Sequence, residues 1–163
     1  MEHPFDELRG VLATTAGYTG GAKVNPTYEQ VSAGGTGHAE SVEVRYNPQI
    51  ISYEKLLDVY WHNVDPLARD RQFCDVGKQY RSVIFYSTPQ QQQAAAQSKQ
   101  TTQEKLGQPV VTEIIAATRF YPAEDYHQDY YKKNPIRYKF YRLNCGRDRR
   151  LAQLWGPPAK TER

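Results

Sequence analysis

Gly17-Tyr18-Thr19-Gly20-Gly21, then Asn25-Pro26-Thr27-Tyr28, then Gly34-Gly35-Thr36-Gly37-His38-Ala39-Glu40, running on as Ser41-Val42-Glu43-Val44-Arg45-Tyr46, is the stretch on which the reading of this chain turns. Six of the eleven glycines lie between Gly17 and Gly37, which marks a long loop rather than scattered turns. Such a loop can take left-handed turns and lie close to a ligand. It feeds a strand in which Val42, Val44 and Tyr46 point one way and Ser41, Glu43 and Arg45 the other. Glu40 falls on the valine side, which puts a carboxylate at the mouth of an apolar face. Desolvation raises a carboxylate's pKa, and an acid kept protonated near neutral pH can serve as a general acid. The alternation alone leaves open a strand-end glutamate turned back to solvent.

Working outward, Pro4, Phe5 and Leu8 read as a short opening helix stopped by Gly10, and Val11 to Tyr18 as a strand. Asn47-Pro48 is a turn. Ser52 caps a helix with an apolar stripe of Leu56, Leu57, Tyr60, Trp61 and Val64, ended by Asp65-Pro66. A polar loop from Arg69 to Lys78 holds Phe73-Cys74-Asp75. Gln79 to Tyr86 reads as a strand. Thr88-Pro89 opens a long helix of glutamine and alanine, closed by Gly107. Val110 to Ala117 is a further strand. Ala123 to Tyr131 reads as a short helix ending near Asn134-Pro135, Tyr138 to Asn144 as extended or irregular, and Asp148 to Trp155 as a last helix. The strands look antiparallel and the helices are interleaved with them, so the expected class is α+β, a sheet with helices on one face. One domain is expected over residues 1–158, with a loose tail at 159–163.

The totals exclude several classes. A chain of 163 residues, 39% hydrophobic and 24% charged, fits a globular protein, and its net charge of +3 is too mild to imply nucleic acid or a membrane. No apolar run approaches the ~18 residues of a membrane span. Glu2, His3, Asp6 and Glu7 occupy the place of an apolar leader, so a cytoplasmic location is expected. Two cysteines do not make a disulfide scaffold, and no cysteine or histidine spacing suggests zinc or another metal. Gly34 to Gly37 lacks the lysine of a phosphate loop and precedes a strand, so no nucleotide is expected there. The tyrosines, lysines and arginines between Tyr126 and Arg150 could stack on single-stranded nucleic acid. A tyrosine-packed wrap with solvated basic residues is the preferred reading.

Among candidate thiols, Cys74 stands next to Asp75, which disfavours its thiolate. Cys145 lies among Arg142, Arg147, Arg149 and Arg150, which favour it. Two inert cysteines remain an open alternative.

Taken together these stretches resemble peptide methionine sulfoxide reductase of the A class. The matching pieces are Gly17-Tyr18-Thr19-Gly20-Gly21, Asn25-Pro26-Thr27-Tyr28, Gly35 to Glu40, Asp75-Val76-Gly77-Lys78-Gln79-Tyr80-Arg81-Ser82, Ala123-Glu124-Asp125-Tyr126-His127-Gln128, Lys133-Asn134-Pro135 and Leu154-Trp155-Gly156, in family order over nearly the whole chain. The resemblance implies a ferredoxin-like two-layer sandwich with a mixed sheet. It also implies reduction of the S epimer of methionine sulfoxide, free or in proteins, with thioredoxin as reductant, no cofactor, and a monomer. It makes Glu40 the acid that protonates the sulfoxide oxygen, Tyr28 and Tyr80 the hydroxyls that hold that oxygen, and Asp75 a support of the polar site. Cys145 becomes the resolving cysteine, and Gly37, His38, Tyr126 and His127 become substrate-binding. The role of Cys74 stays open.

One departure is large. The family's nucleophile lies in a Gly-Cys-Phe-Trp motif at the end of its first strand, and this sequence has no such motif. The motif would fall immediately before Met1, so the expectation is that Met1 is not the functional start and that a strand is lacking from inside the sheet. Two other readings follow if it is the start: a non-catalytic binder of oxidised-methionine peptides, or Cys145 as a substitute nucleophile.

Overall fold

The computed structural model describes residues 1–157, so the expected tail at 159–163 lies outside the described residues. The architecture is mixed α+β. Strand β1 (Val11–Thr19) pairs antiparallel with β2 (Ala39–Tyr46), from Val11 opposite Tyr46 to Thr19 opposite Ala39, with an irregularity at Leu12. The far end of β1 also pairs antiparallel with the short strand β7 (Tyr121–Pro122). Gly17 makes that pairing possible. A Cβ there would stand 2.4 Å from both the Phe120 ring and the Tyr121 carbonyl oxygen, closer than any side chain can approach.

Strands β5 (Val83–Tyr86) and β6 (Glu113–Ala116) form a second sheet, and they run parallel, not antiparallel as their sequence suggested. The reason is the crossover between them: helix α4 (Pro89–Leu106) is 18 residues long and returns the chain to the same end of the sheet. Thr88 caps α4 through the Gln91 N–H, and Gly107 closes it in the left-handed region at φ 63°. Helix α3 (Tyr53–Trp61), capped by Ser52, packs on α4, where the Trp61 indole N–H donates to Ser98 Oγ at 2.9 Å. Leu57, Trp61, Val64, Ile84, Ala95 and Val110 make one buried cluster; Phe5, Ile51 and Leu56 make a second. Each large apolar side chain buried this way contributes about 1.5–3 kcal/mol. Met1 and Tyr60 touch both clusters.

Several expected elements are corrected. The opening helix α1 covers only Glu2–Asp6. The glycine loop contains a helix, α2 (Tyr28–Ala33), built on a capping box between Thr27 and Gln30. Lys78–Tyr80 is a turn of 3-10 helix, so β5 begins only at Val83. Before it lies a two-residue hairpin pairing of β3 (Arg71–Gln72) with β4 (Asp75–Val76). Between Ala123 and Tyr131 the chain makes a 3-10 turn at Asp125–His127 and then a single-turn helix α5 (Tyr130–Lys133). Tyr138 to Asn144 is helical, as part of α6 (Pro135–Asn144): Pro135 at the first turn starts it, and Tyr138 and Arg142 meet one turn apart at 3.3 Å. Helix α7 (Arg147–Trp155) follows after Gly146. It docks through Arg150 on the buried Asp65 at 2.8 Å and through Arg147 on the Asn63 carbonyl at 2.9 Å. No helix among the described residues is long and apolar enough to cross a membrane.

Candidate active site

A cavity of about 910 Å³ opens between the two sheets, lined by β2 on one side and β5 on the other. Glu40, the second residue of β2, opens onto it together with Asp75, Tyr80 and His127. The Glu40 carboxyl is accessible through the cavity mouth but otherwise surrounded by protein. This desolvation, with the nearby charge of Asp75 added, pushes it up to about 7. The hydroxyl of Tyr80 is pushed up to about 12 by its own desolvation and by the charges of Glu40 and Asp75. Near neutral pH the Tyr80 hydroxyl therefore keeps its proton and Glu40 is protonated in about half of the molecules, and both face the same space. A proton donor beside a phenol hydroxyl can bind and protonate a polar oxygen of a ligand.

Four segments bring these groups together. Asp75 is held from the far end of the chain, where the Tyr141 hydroxyl on α6 donates to Asp75 Oδ1 at 2.5 Å. Tyr80 ends the 3-10 turn, which is tied to α2 by Gln79 Nε2 donating to the Ser32 carbonyl at 3.3 Å. That tie sets Tyr28, the first residue of α2, near Tyr80, whose titration feels it. Arg81 donates to the Lys78 carbonyl at 2.8 Å and to the Gly37 carbonyl at 3.0 Å, joining the turn to the glycine loop.

Glu124, which the sequence singled out only as part of a matched segment, gathers several of the candidate site residues around its carboxylate. Its Oε1 accepts the Tyr28 N–H at 3.1 Å, and its Oε2 accepts the hydroxyls of Tyr18 at 3.4 Å and Tyr126 at 3.3 Å. His127 Nε2 stands 3.6 Å from the same carboxylate. The Tyr28 ring centroid lies 4.6 Å from that of His127 and 6.4 Å from that of Tyr126, so the three make one aromatic group on the Glu124 carboxylate. The only sequence signal was the position of Glu124 inside the matched segment.

His38 and Gly37 sit differently from the substrate-binding place expected for them. His38 is buried, with Nδ1 accepting the Gly21 N–H at 3.1 Å and Nε2 donating to the Lys23 carbonyl at 2.7 Å. Both ring nitrogens are thus used on the loop's own backbone, and the ring fastens the loop. Gly37 contributes its carbonyl to Arg81. Among the described residues no group of three or more His, Cys, Asp or Glu is placed to hold a metal ion.

Cys74 and Cys145 are joined by a disulfide, their Cα atoms 5.2 Å apart, and no cysteine is free. This corrects the picture of two separate thiols. Cys145 so bonded is not a standing thiolate, and it is not a substitute nucleophile in this state. The bond fixes the Asp75 loop to the junction of α6 and α7. Beside it the Arg147 guanidinium lies 4.0 Å over the Phe73 ring.

The family described as peptide methionine sulfoxide reductase matches residues 1–158. The chain is similar to peptide methionine sulfoxide reductase MsrA of Bacillus licheniformis, with 47% identity over 96% of this chain and 87% of that protein. Among solved structures it is similar to Mxr1 of Saccharomyces cerevisiae in reduced form, with 32% identity, a TM-score of 0.79, and coverage of 83% of this chain and 79% of that one. It is also similar to methionine sulfoxide reductase A of Corynebacterium diphtheriae, with 37% identity, a TM-score of 0.78, and coverage of 83% and 69%.

Proposed function

The chain belongs to the peptide methionine sulfoxide reductase family, and from that premise we propose that its cavity binds the S epimer of methionine sulfoxide, free or in proteins, for reduction to methionine. The observation that carries this reading is the Glu40 carboxyl, titrating at about 7 beside Asp75 and Tyr80. A sulfoxide sulfur becomes electrophilic only as its oxygen gains a proton. The reaction therefore needs an acid on oxygen while a thiolate attacks sulfur. Glu40 is the acid. The hydroxyls of Tyr80 and Tyr28 hold the oxygen, Asp75 supports the polar side, and Tyr126 and His127 flank Tyr28. His38 and Gly37 act one step back, by holding the loop. Cys145 is the resolving thiol, and thioredoxin is the reductant.

The family's Gly-Cys-Phe-Trp motif is absent from the 163 residues, so these residues supply the oxygen and proton side of the reaction rather than its nucleophile. We take residues 1–158 as one domain, monomeric and cytoplasmic. Its two sheets are parts of one ferredoxin-like mixed sheet, a reading supported by β2 and β5 lining a single cavity. The disulfide favours a second reading for the chain as given: with no free thiol it binds the sulfoxide without turning it over. Calorimetric titration with acetylated methionine sulfoxide amide tests the site. Heat with the S epimer and none with the R epimer is expected at pH 6, with weaker binding at pH 9 where Glu40 is ionised. No heat with either epimer removes both readings.

A further inference from the structure

We propose that the outer face of α6 is a docking surface for an anionic lipid bilayer, and that the helix lies flat in the headgroup region without crossing it. The proposal does not depend on the sulfoxide reading. Its first observation is an apolar stripe left in water. Ile136, Phe140 and Leu143, at helical spacing on α6, are 83%, 67% and 74% exposed. Val76, 71% exposed, stands beside the helix, because its neighbour Asp75 accepts the Tyr141 hydroxyl. An exposed apolar patch of this kind marks a contact surface. The second observation is the charge around the stripe. At about 100° per residue, Arg137 and Lys139 fall on opposite flanks of it. Both are exposed, and among the described residues neither makes an ion pair or a side-chain hydrogen bond. From Tyr130 to Arg147 the chain carries Lys132, Lys133, Arg137, Lys139, Arg142 and Arg147 and no Asp or Glu, although it has 18 acidic residues in all. The net charge of +3 hides this local excess, because the acids lie elsewhere.

Stripe and charge together select the occupant. A helix whose apolar stripe is flanked by Lys and Arg lies in the plane of a membrane interface. Its apolar side chains sit below the headgroups, and its cations reach up to the lipid phosphates. A second copy of the chain fits badly. Packing α6 on α6 would bring Arg137 and Lys139 against their counterparts, with no acid on the helix to meet them. Nucleic acid would use the cations but leave Ile136 and Leu143 in water. A protein that engulfs a helix needs all of its faces, and the inner face of α6 is committed. Tyr141 holds Asp75, Arg142 pairs with Asp148, and Tyr138 lines the cavity. A bilayer takes one protruding face and needs no shaped groove. The Cys74–Cys145 disulfide fastens the chain just past the end of α6, so the face is presented on a fixed support.

The test is flotation of the full chain with lipid vesicles at low salt. Partition is expected into vesicles of phosphatidylcholine mixed with phosphatidylglycerol, with much less into pure phosphatidylcholine, and it should weaken as salt is raised. Arg137→Gln and Lys139→Gln should each lower the partition coefficient about fivefold. Phe140→Ser and Leu143→Ser should each lower it about tenfold, the scale of one large apolar side chain. All four positions are exposed, and urea midpoints equal to the parent's separate lost binding from lost folding. The Phe140→Trp variant reports the face directly, because the parent's two tryptophans, Trp61 and Trp155, lie off α6. Its emission should shift to the blue on anionic vesicles and be quenched by lipids brominated near the headgroup, while the parent's emission stays unchanged. No flotation with anionic vesicles overturns the proposal. So does partition that all four substitutions leave unchanged, or an unshifted emission from the Phe140→Trp variant. Binding of a single-stranded oligonucleotide in place of vesicles would give the face to nucleic acid and overturns the bilayer. No sulfoxide is present in these experiments, so their failure is separate from a failure of the substrate titration.

Discussion

At the scale of single residues, Glu40 carries the clearest consequence. Its carboxyl titrates near the ordinary 4.5 in an unfolded chain and at about 7 in the folded one. Between those values the folded state binds more protons than the unfolded state, so this residue's contribution to stability falls as pH rises. The penalty is absent below about 4.5, where both states are protonated, and complete above about 7. Glu40→Gln removes it. Urea midpoints measured from pH 4 to pH 9 should therefore show the variant gaining on the parent chain through that window and then holding a constant lead. A difference independent of pH would mean that Glu40 titrates as an ordinary surface acid. The alternation of β2 made this residue legible, because Val42, Val44 and Tyr46 put it on the apolar side. The partners that give it a setting were not legible. Tyr141 reaches Asp75 across 66 positions, and Glu124 reaches Tyr28 across 96. No local period encodes contacts of that range. The same limit holds for His38: the resemblance implied substrate binding, and its two backbone partners, Gly21 and Lys23, become visible only in the fold.

At the scale of elements, caps were legible and context was not. Ser52, Thr88 and Gly107 marked the ends of α3 and α4, because a cap is a contact between neighbours in sequence. Helix α2 was hidden by its length. Six residues between glycines show no period, and only the Thr27 to Gln30 box betrays it. Helix α6 was hidden by composition, since its aromatic residues Tyr138, Phe140 and Tyr141 are weak helix formers and its apolar face stays in water. A short helix such as α2 depends on its cap. Thr27 accepts the Gln30 N–H at 3.3 Å while the Gln30 side chain accepts the Thr27 N–H at 3.0 Å. Thr27→Ala should cost about 1 kcal/mol of stability. Because α2 carries Tyr28, the same change should also weaken sulfoxide binding. Denaturation and titration of the variant check this, and unchanged binding would detach Tyr28 from the site.

At the scale of the whole molecule, the fold is two main sheets and the small β3–β4 pair around a cavity, with a C-terminal wrap that closes onto the site. Its class was legible from the mixture of elements. The division into two sheets was not, because parallel pairing of β5 with β6 depends on how α4 carries the chain over. The wrap is tied down by Arg150 on Asp65, Arg147 on Asn63, Tyr141 on Asp75, Trp155 packed against the α3–α4 cluster, and the disulfide between residues 71 positions apart. A cross-link of that span restricts the unfolded chain strongly, by up to about 4 kcal/mol in the loop-entropy account. In the reduced chain the Asp75 loop keeps only its noncovalent ties to α6 and α7, so reduction should loosen the site and the wrap together. Urea unfolding with and without dithiothreitol should show a loss of the same order. The Cys74→Ser, Cys145→Ser double variant should match the reduced parent and ignore the reductant. Hydrogen exchange should then locate the added opening chiefly in residues 71–80 and 135–155, with less in α3 and α4, whose contact through Trp61 and Ser98 does not use the wrap's ties to Asp75. Opening spread evenly over α3 and α4 would instead make the disulfide a support of the whole core, and the coupling of redox state to the site would fall.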